Sequence, residues 1–101
     1  MFQQKPVIGV IGGNQATPEN YQVAYELGTH IANRGAVLVC GGLTGIMEAV
    51  SKGASENNGM VIGILPGTRK DEANQYVNIA IPTGMGIARN VLVVNSSDVI
   101  I

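Results

Sequence analysis

The architecture of the chain follows from Ala36-Val37-Leu38-Val39-Cys40-Gly41-Gly42-Leu43-Thr44-Gly45-Ile46-Met47-Glu48-Ala49-Val50. Its first five residues are apolar without interruption, the pattern of a parallel strand covered on both faces. Three glycines follow within five residues. From there Ile46, Ala49, Val50, Gly53 and Ala54 recur at helical spacing, and Asn57-Asn58-Gly59 closes the run. A strand that turns through glycine directly into a helix is half of a β-α-β unit.

The same grammar extends in both directions. Short apolar runs at residues 7–11, 60–65, 77–81 and 98–101 predict four more strands around the one at 36–40. Thr17-Pro18-Glu19 opens a helix with an N-cap, a proline at the first helical position and an acid in the first turn. Ala24, Leu27, Gly28, Ile31 and Ala32 form its apolar stripe, and Gly35 just past Arg34 stops it. Further helices are predicted at 45–57 and 85–95, the last apolar enough to be largely buried, with Asn95-Ser96-Ser97 as its exit. The order β-α-β-α-β-loop-β-α-β predicts one α/β domain over residues 1–101, a doubly wound, mainly parallel Rossmann-like sheet with right-handed crossovers. Residues 67–76, with Arg69, Lys70, Asp71 and Glu72, are the one polar loop without periodicity.

Composition narrows the function. Of 101 residues 46% are hydrophobic and 13% charged, and the formal net charge is -1. With no broad basic field, nucleic acid and anionic membrane are not expected as partners. An anion must be held locally, by backbone N–H groups and one or two cations. The single cysteine, Cys40, excludes an intrachain disulfide and suits a reducing compartment. No signal peptide or membrane-length run is visible, so a cytoplasmic location is expected.

Fourteen glycines is high, and they fall after the predicted strands: Gly12 and Gly13, Gly41 and Gly42, Gly67, then Gly84 and Gly86. In a parallel sheet these loops emerge at one carboxyl edge, where open α/β sheets bind ligands. Glycine lets a phosphate approach backbone amides closely, and Gly41 to Gly45 leads into the positive end of a helix. Thr44 is placed to add a hydroxyl donor, and Asn14 an amide. Each cluster alone also fits plain strand-to-helix packing. Established fingerprints are missing: there is no G-x-x-x-x-G-K-S/T, and Gly9-Val10-Ile11-Gly12-Gly13 is out of register for G-x-G-x-x-G. Cys40 stands where a dinucleotide site has an acid.

Residues 40–50, then Gly63-Ile64-Leu65-Pro66-Gly67 and Met85-Gly86-Ile87-Ala88-Arg89-Asn90, resemble the Rossmann-fold nucleotide-binding proteins of one superfamily. It contains the Lonely Guy phosphoribohydrolases and the lysine-decarboxylase-like proteins. Molybdenum-cofactor carriers and the DNA-processing protein A family are more distant relatives. Gly41, Gly42, Gly45 and Met47 match its Gly-Gly-x-x-Gly-Leu/Ile-Met phosphate loop. Met85 and Arg89 match a Met-x-x-x-Arg element whose arginine contacts the nucleotide and assists glycosidic cleavage in the hydrolases. Asn90 stands where those enzymes have lysine. Their second signature, Pro-Gly-Gly-x-Gly-Thr-x-x-Glu, which carries the catalytic glutamate, follows the last strand and is absent here.

The strand-end loops and the resemblance together imply a ligand site built from Gly12, Gly13, Asn14, Gly41, Gly42, Thr44, Gly45, Met47, Pro66, Gly67, Gly84, Met85 and Arg89. Arg89 is the catalytic candidate, its alternative being a surface salt bridge. The implied function is binding of a phosphate-bearing nucleotide or nucleotide-like cofactor, with phosphoribohydrolase chemistry confined to a full-length homologue. No cofactor is expected to be required, AMP is the candidate ligand, and no metal is expected. The alternative is a non-catalytic carrier or sensor of a pterin cofactor or signalling nucleotide. Single-stranded DNA binding lacks both stacking aromatics and a basic groove; a structural fragment without ligand is the fourth reading. The strand at 98–101 ends at the carboxyl edge uncovered. That predicts a C-terminally truncated domain, leaning on a homodimer or higher homo-oligomer.

His30, near the end of the first helix, reads as a surface residue, and Cys40 as buried apolar filler. Glu48 reads as a first-turn acid complementing the helix dipole. Gln15 offers either an amide contact or a loop cap, Arg69 and Lys70 a flexible rim or a solvated loop.

Overall fold

A computed structural model describes residues 4–101. Five strands, β1 (Val7–Val10), β2 (Val37–Cys40), β3 (Val61–Leu65), β4 (Ile79–Pro82) and β5 (Val99–Ile100), form one sheet in the order β4-β3-β2-β1-β5. Every neighbouring pair is parallel. The helices are α1 (Pro18–Asn33), α2 (Ile46–Glu56) and α3 (Asn90–Ser96). The expected α/β class and parallel sheet are therefore observed. From β1 the chain adds strands in one direction as far as β4, then returns to place β5 on β1's other side, so strand order reverses beside β1.

Alternation along the strands separates two cores. Leu38, Cys40 and Val61 face α1 and α2, with Ala24, Ile31, Ala49, Val50 and Ala54. Val39 and Ile64 face the other side with Val93 of α3. Leu38 and Leu65 are fully buried, and each such side chain contributes about 1.5–3 kcal/mol of apolar transfer.

Local signals set the helix ends. The Thr17 side chain accepts from the Asn20 N–H over 3.1 Å, with Pro18 in the first turn. Past Arg34, Gly35 adopts φ +72°. Its N–H donates to the Ala32 carbonyl at 2.9 Å, and that of Ala36 to Ile31 at 3.2 Å. These two bonds satisfy carbonyls the helix leaves open. Asn58, at φ +62°, does the same for α2: its N–H reaches Ser55 at 3.2 Å, and that of Gly59 reaches Ala54 at 2.8 Å. Between the helices, Gly28 and Gly53 bring backbone against backbone. A Cβ on Gly28 would stand 2.8 Å from the Ala54 nitrogen, and one on Gly53 would stand 3.0 Å from that of Thr29.

Four expectations need correction. The segment 85–95 is a 3-10 turn, Gly86–Arg89, followed by α3, and only Arg89 and Val93 of it are buried. Ile87, Val91 and Val94 are exposed, because α3 is too short and too lightly packed to cover its own apolar surface. The fourth strand begins at Ile79, two residues later than expected, since the Asn78 side chain accepts from the Val61 N–H. Burial on both faces holds for β2 and β3 but not for β4 and β5, which lie at the sheet's edges. The loop expected at 67–76 contains a 3-10 turn, Lys70–Glu72. Among the described residues no helix is long and apolar enough to cross a membrane.

Candidate functional site

At the carboxyl ends of β1, β2 and β3 a cleft of about 340 Å³ opens between the glycine-rich loops. Six residues singled out from the sequence line it: Gly12, Gly13, Asn14, Met47, Pro66 and Arg89. Leu43, Ile87 and Asn90 complete the wall and were not among the expected site residues. Their signal was weak: two are ordinary apolar side chains, and Asn90 drew notice only as a departure from the family pattern.

Arg89 supplies the charge. It is 7% exposed, on the 3-10 turn that follows β4. Its Nε–H donates to the Ile64 carbonyl at 3.0 Å, and its Nη2 lies 3.9 Å from the Met47 sulfur. The ion pair found among the described residues joins Arg69 to Asp71 at the surface, so the expected alternative of a surface salt bridge for Arg89 does not hold. Burial lowers the Arg89 pKa from its ordinary value, the nearby Cys40 thiol opposing weakly. A guanidinium nonetheless stays protonated in proteins. A buried cation without a carboxylate carries an uncompensated desolvation cost of several kcal/mol, which an incoming anion would offset.

The β2–α2 turn lies against that guanidinium. A Cβ on Gly41 would stand 2.5 Å from the Met47 sulfur and 2.7 Å from Arg89 Nη2, so any larger side chain there must displace the end of one or both. Gly45 caps α2 at φ +68° and offers no side-chain cap, leaving the positive end of the helix dipole beside the cleft. The Thr44 hydroxyl donates to the Asn14 carbonyl at 3.0 Å, and the Ile46 N–H to that of Gly13 at 3.1 Å. Thr44 is thus a staple between two loops rather than the free donor expected. Gly42 is buried beneath the turn, with φ +78°.

The remaining expected residues, Gly67, Gly84 and Met85, lie outside the cleft's lining. A Cβ on Gly67 would meet the Glu72 carboxylate. Gly84 and Met85 are exposed and outside the lining. Their loop is tied down by the Gly84 N–H to Gly67 at 2.8 Å and by the Gly86 N–H to Pro66 at 2.9 Å. His30 is exposed on α1, as expected. Cys40 is fully buried; burial pushes its thiol pKa up, against smaller lowering effects from Ser51, the Gly42 backbone and Arg89. Among the described residues no group of three or more His, Cys, Asp or Glu is arranged to hold a metal ion. A larger hollow of about 410 Å³, lined by Lys5, Gly35, Asn58 and Asn78 among others, lies at the opposite sheet edge. There the carbonyl ends of α1 and α2 disfavour an anion, so the smaller cleft is the candidate site.

Fold and cleft together define a Rossmann-like α/β protein with a glycine-lined recess at the strand-order reversal. The chain belongs to the SLOG cluster4 family, whose model matches residues 5–101. It is 50% identical over 94 residues to an uncharacterized protein of Archaeoglobus fulgidus, covering 93% of this chain and 62% of that one. The molybdenum cofactor binding protein of Rippkaea orientalis superposes with a TM-score of 0.93 at 48% identity, over 98% of this chain and 62% of its own. The molybdenum cofactor carrier protein of Chlamydomonas reinhardtii gives 0.84 at 40% identity, over 95% and 61%. The chain therefore spans about three fifths of the length of these relatives.

The resemblance read from the sequence is borne out, with one change of emphasis: the molybdenum-cofactor proteins are nearer relatives than expected. The expectation that no cofactor is required, with AMP as the candidate ligand, is overturned by the same comparison. Those solved relatives are described by a molybdenum cofactor, not by a nucleotide.

Proposed function

We propose that this chain forms the binding core of a non-catalytic carrier for a phosphate-bearing pterin cofactor of the molybdenum-cofactor type. The observation that carries the reading is Arg89, a buried guanidinium without a carboxylate partner among the described residues, lining the cleft of a chain similar to molybdenum-cofactor proteins. The donor set fits such a group. Arg89 and the start of α2, which has no side-chain cap, match a phosphate. Leu43, Met47 and Ile87 offer apolar contact to a ring, and the Asn14 and Asn90 carboxamides offer both donor and acceptor to its polar edge. Gly12, Gly13, Gly41, Gly42, Gly45 and Pro66 shape the recess, and Thr44 and Gly67 brace it. Bound there, the cofactor would bring its own metal chemistry; the protein's part is to hold it and shield it from water.

Anaerobic gel filtration with cofactor released from a molybdoenzyme tests this, reading molybdenum by mass spectrometry and pterin by fluorescence after oxidation. Molybdenum and pterin are expected to co-elute with the wild-type chain and to be lost with R89M. Absence of co-elution, or displacement of the cofactor by equimolar AMP, would overturn the reading.

A further inference from the structure

Asn74 lies outside the cleft, in the segment between β3 and β4, yet it grips the β2–α2 turn from behind. Its backbone N–H donates to the Gly42 carbonyl at 2.8 Å, and its Nδ2 donates to the Leu43 carbonyl at 2.8 Å. Its Oδ1 accepts from the Tyr76 N–H at 3.0 Å, which fixes the orientation of the carboxamide. Peptide units are planar and trans, so a carbonyl held in one direction aims the next residue's N–H in the opposite one. Anchoring the carbonyls of Gly42 and Leu43 on Asn74 therefore turns the N–H groups of Leu43 and Thr44 away from it. Gly42, at φ +78°, has the conformational freedom to place these peptide planes otherwise without such an anchor.

We infer that Asn74 is a positioning residue that presets the Leu43 and Thr44 amides for the anionic group of the ligand. Asn74 is not itself among the residues that line the cleft; of its segment only Pro66 is. The inference rests on the anion-binding reading of the cleft given above. Preorganisation of this kind raises affinity by removing ordering cost, not by adding a contact. The staple from Thr44 to Asn14 passes the same constraint on to the β1 loop.

The test uses the whole chain, with inorganic sulfate as the probe, followed by amide NMR and calorimetry well below the melting temperature. Wild type is expected to bind sulfate with saturable shifts of the Leu43 and Thr44 amides. N74A and N74D both remove the Nδ2 donor, and N74D keeps the acceptor for Tyr76. Both are expected to lose about fivefold or more in sulfate affinity, the scale of one hydrogen bond, with the two amides displaced in the free protein. Q75A, altering an exposed neighbour, is expected to bind as wild type. If wild type and both variants bind equally, the positioning role is overturned and the anion site stands. If the neutral N74A binds as wild type and only N74D is weak, the loss is charge repulsion and the inference fails. A wild-type chain that shows no cleft response to sulfate overturns the anion site and the inference together.

Discussion

Gly41 and Arg89 are packed so closely that a methyl group on the glycine would stand 2.7 Å from the arginine's Nη2. The missing Cβ is what lets a guanidinium lie beneath the turn. G41A is expected to push Arg89 from its place, weakening cofactor binding by about tenfold or more. Overpacking should cost about 1–3 kcal/mol of stability. Calorimetric titration beside a thermal melt of the same sample checks both.

Removing the cation should separate stability from binding. R89M gives up one hydrogen bond to Ile64 but relieves a buried charge that has no counter-ion. The two effects oppose each other on the same scale, so melting is expected within a few degrees of wild type. Affinity for an anionic ligand should fall by about 30-fold to 1000-fold, the usual cost of truncating one side of a buried charge pair. A large drop in melting temperature with binding intact would contradict this.

The α1–α2 contact makes a purely structural prediction. G28A places a carbon against the backbone of Val50 and Ala54, neither of which can swing aside as a side chain would. The expected loss is near the upper end of the overpacking range, about 3 kcal/mol, read from urea denaturation. G35A, at φ +72° with open space around it, should cost only about 1–2 kcal/mol.

Cys40 makes a prediction about pH. Its pKa is raised in the fold, chiefly by burial. The unfolded chain therefore loses the thiol proton first as pH rises. The protonated thiol's contribution to stability is complete below the ordinary thiol value and declines above it. C40A should flatten the alkaline fall in stability, and iodoacetamide should label native Cys40 slowly at neutral pH. Rapid labelling without unfolding would show that the thiol is reachable.

Much of this was legible from residue types. Thr17, Pro18 and Gly35 mark the ends of α1 through capping chemistry that acts within a few residues. The β2–α2 turn was legible because glycine spacing is itself a backbone statement. Long-range commitments were not. Nothing local in Thr44 shows that its hydroxyl proton goes to Asn14, thirty positions earlier. Met85 matches a motif whose arginine enters the cleft, while it and the neighbouring Gly84 remain outside it. Leu43 and Ile87 become walls only when loops from different strands meet. Ligand identity was the least legible, since loops that accept a phosphate do not specify what the phosphate is attached to.

Among the described residues the cation lining the recess rides on a short turn leading into α3, which packs on the sheet through the buried Val93 and the half-buried Leu92. An occupant that pairs with Arg89 thereby adds a further anchor to this lightly fastened end. Pairing with an anion and tightening of that corner are then expected to be one event.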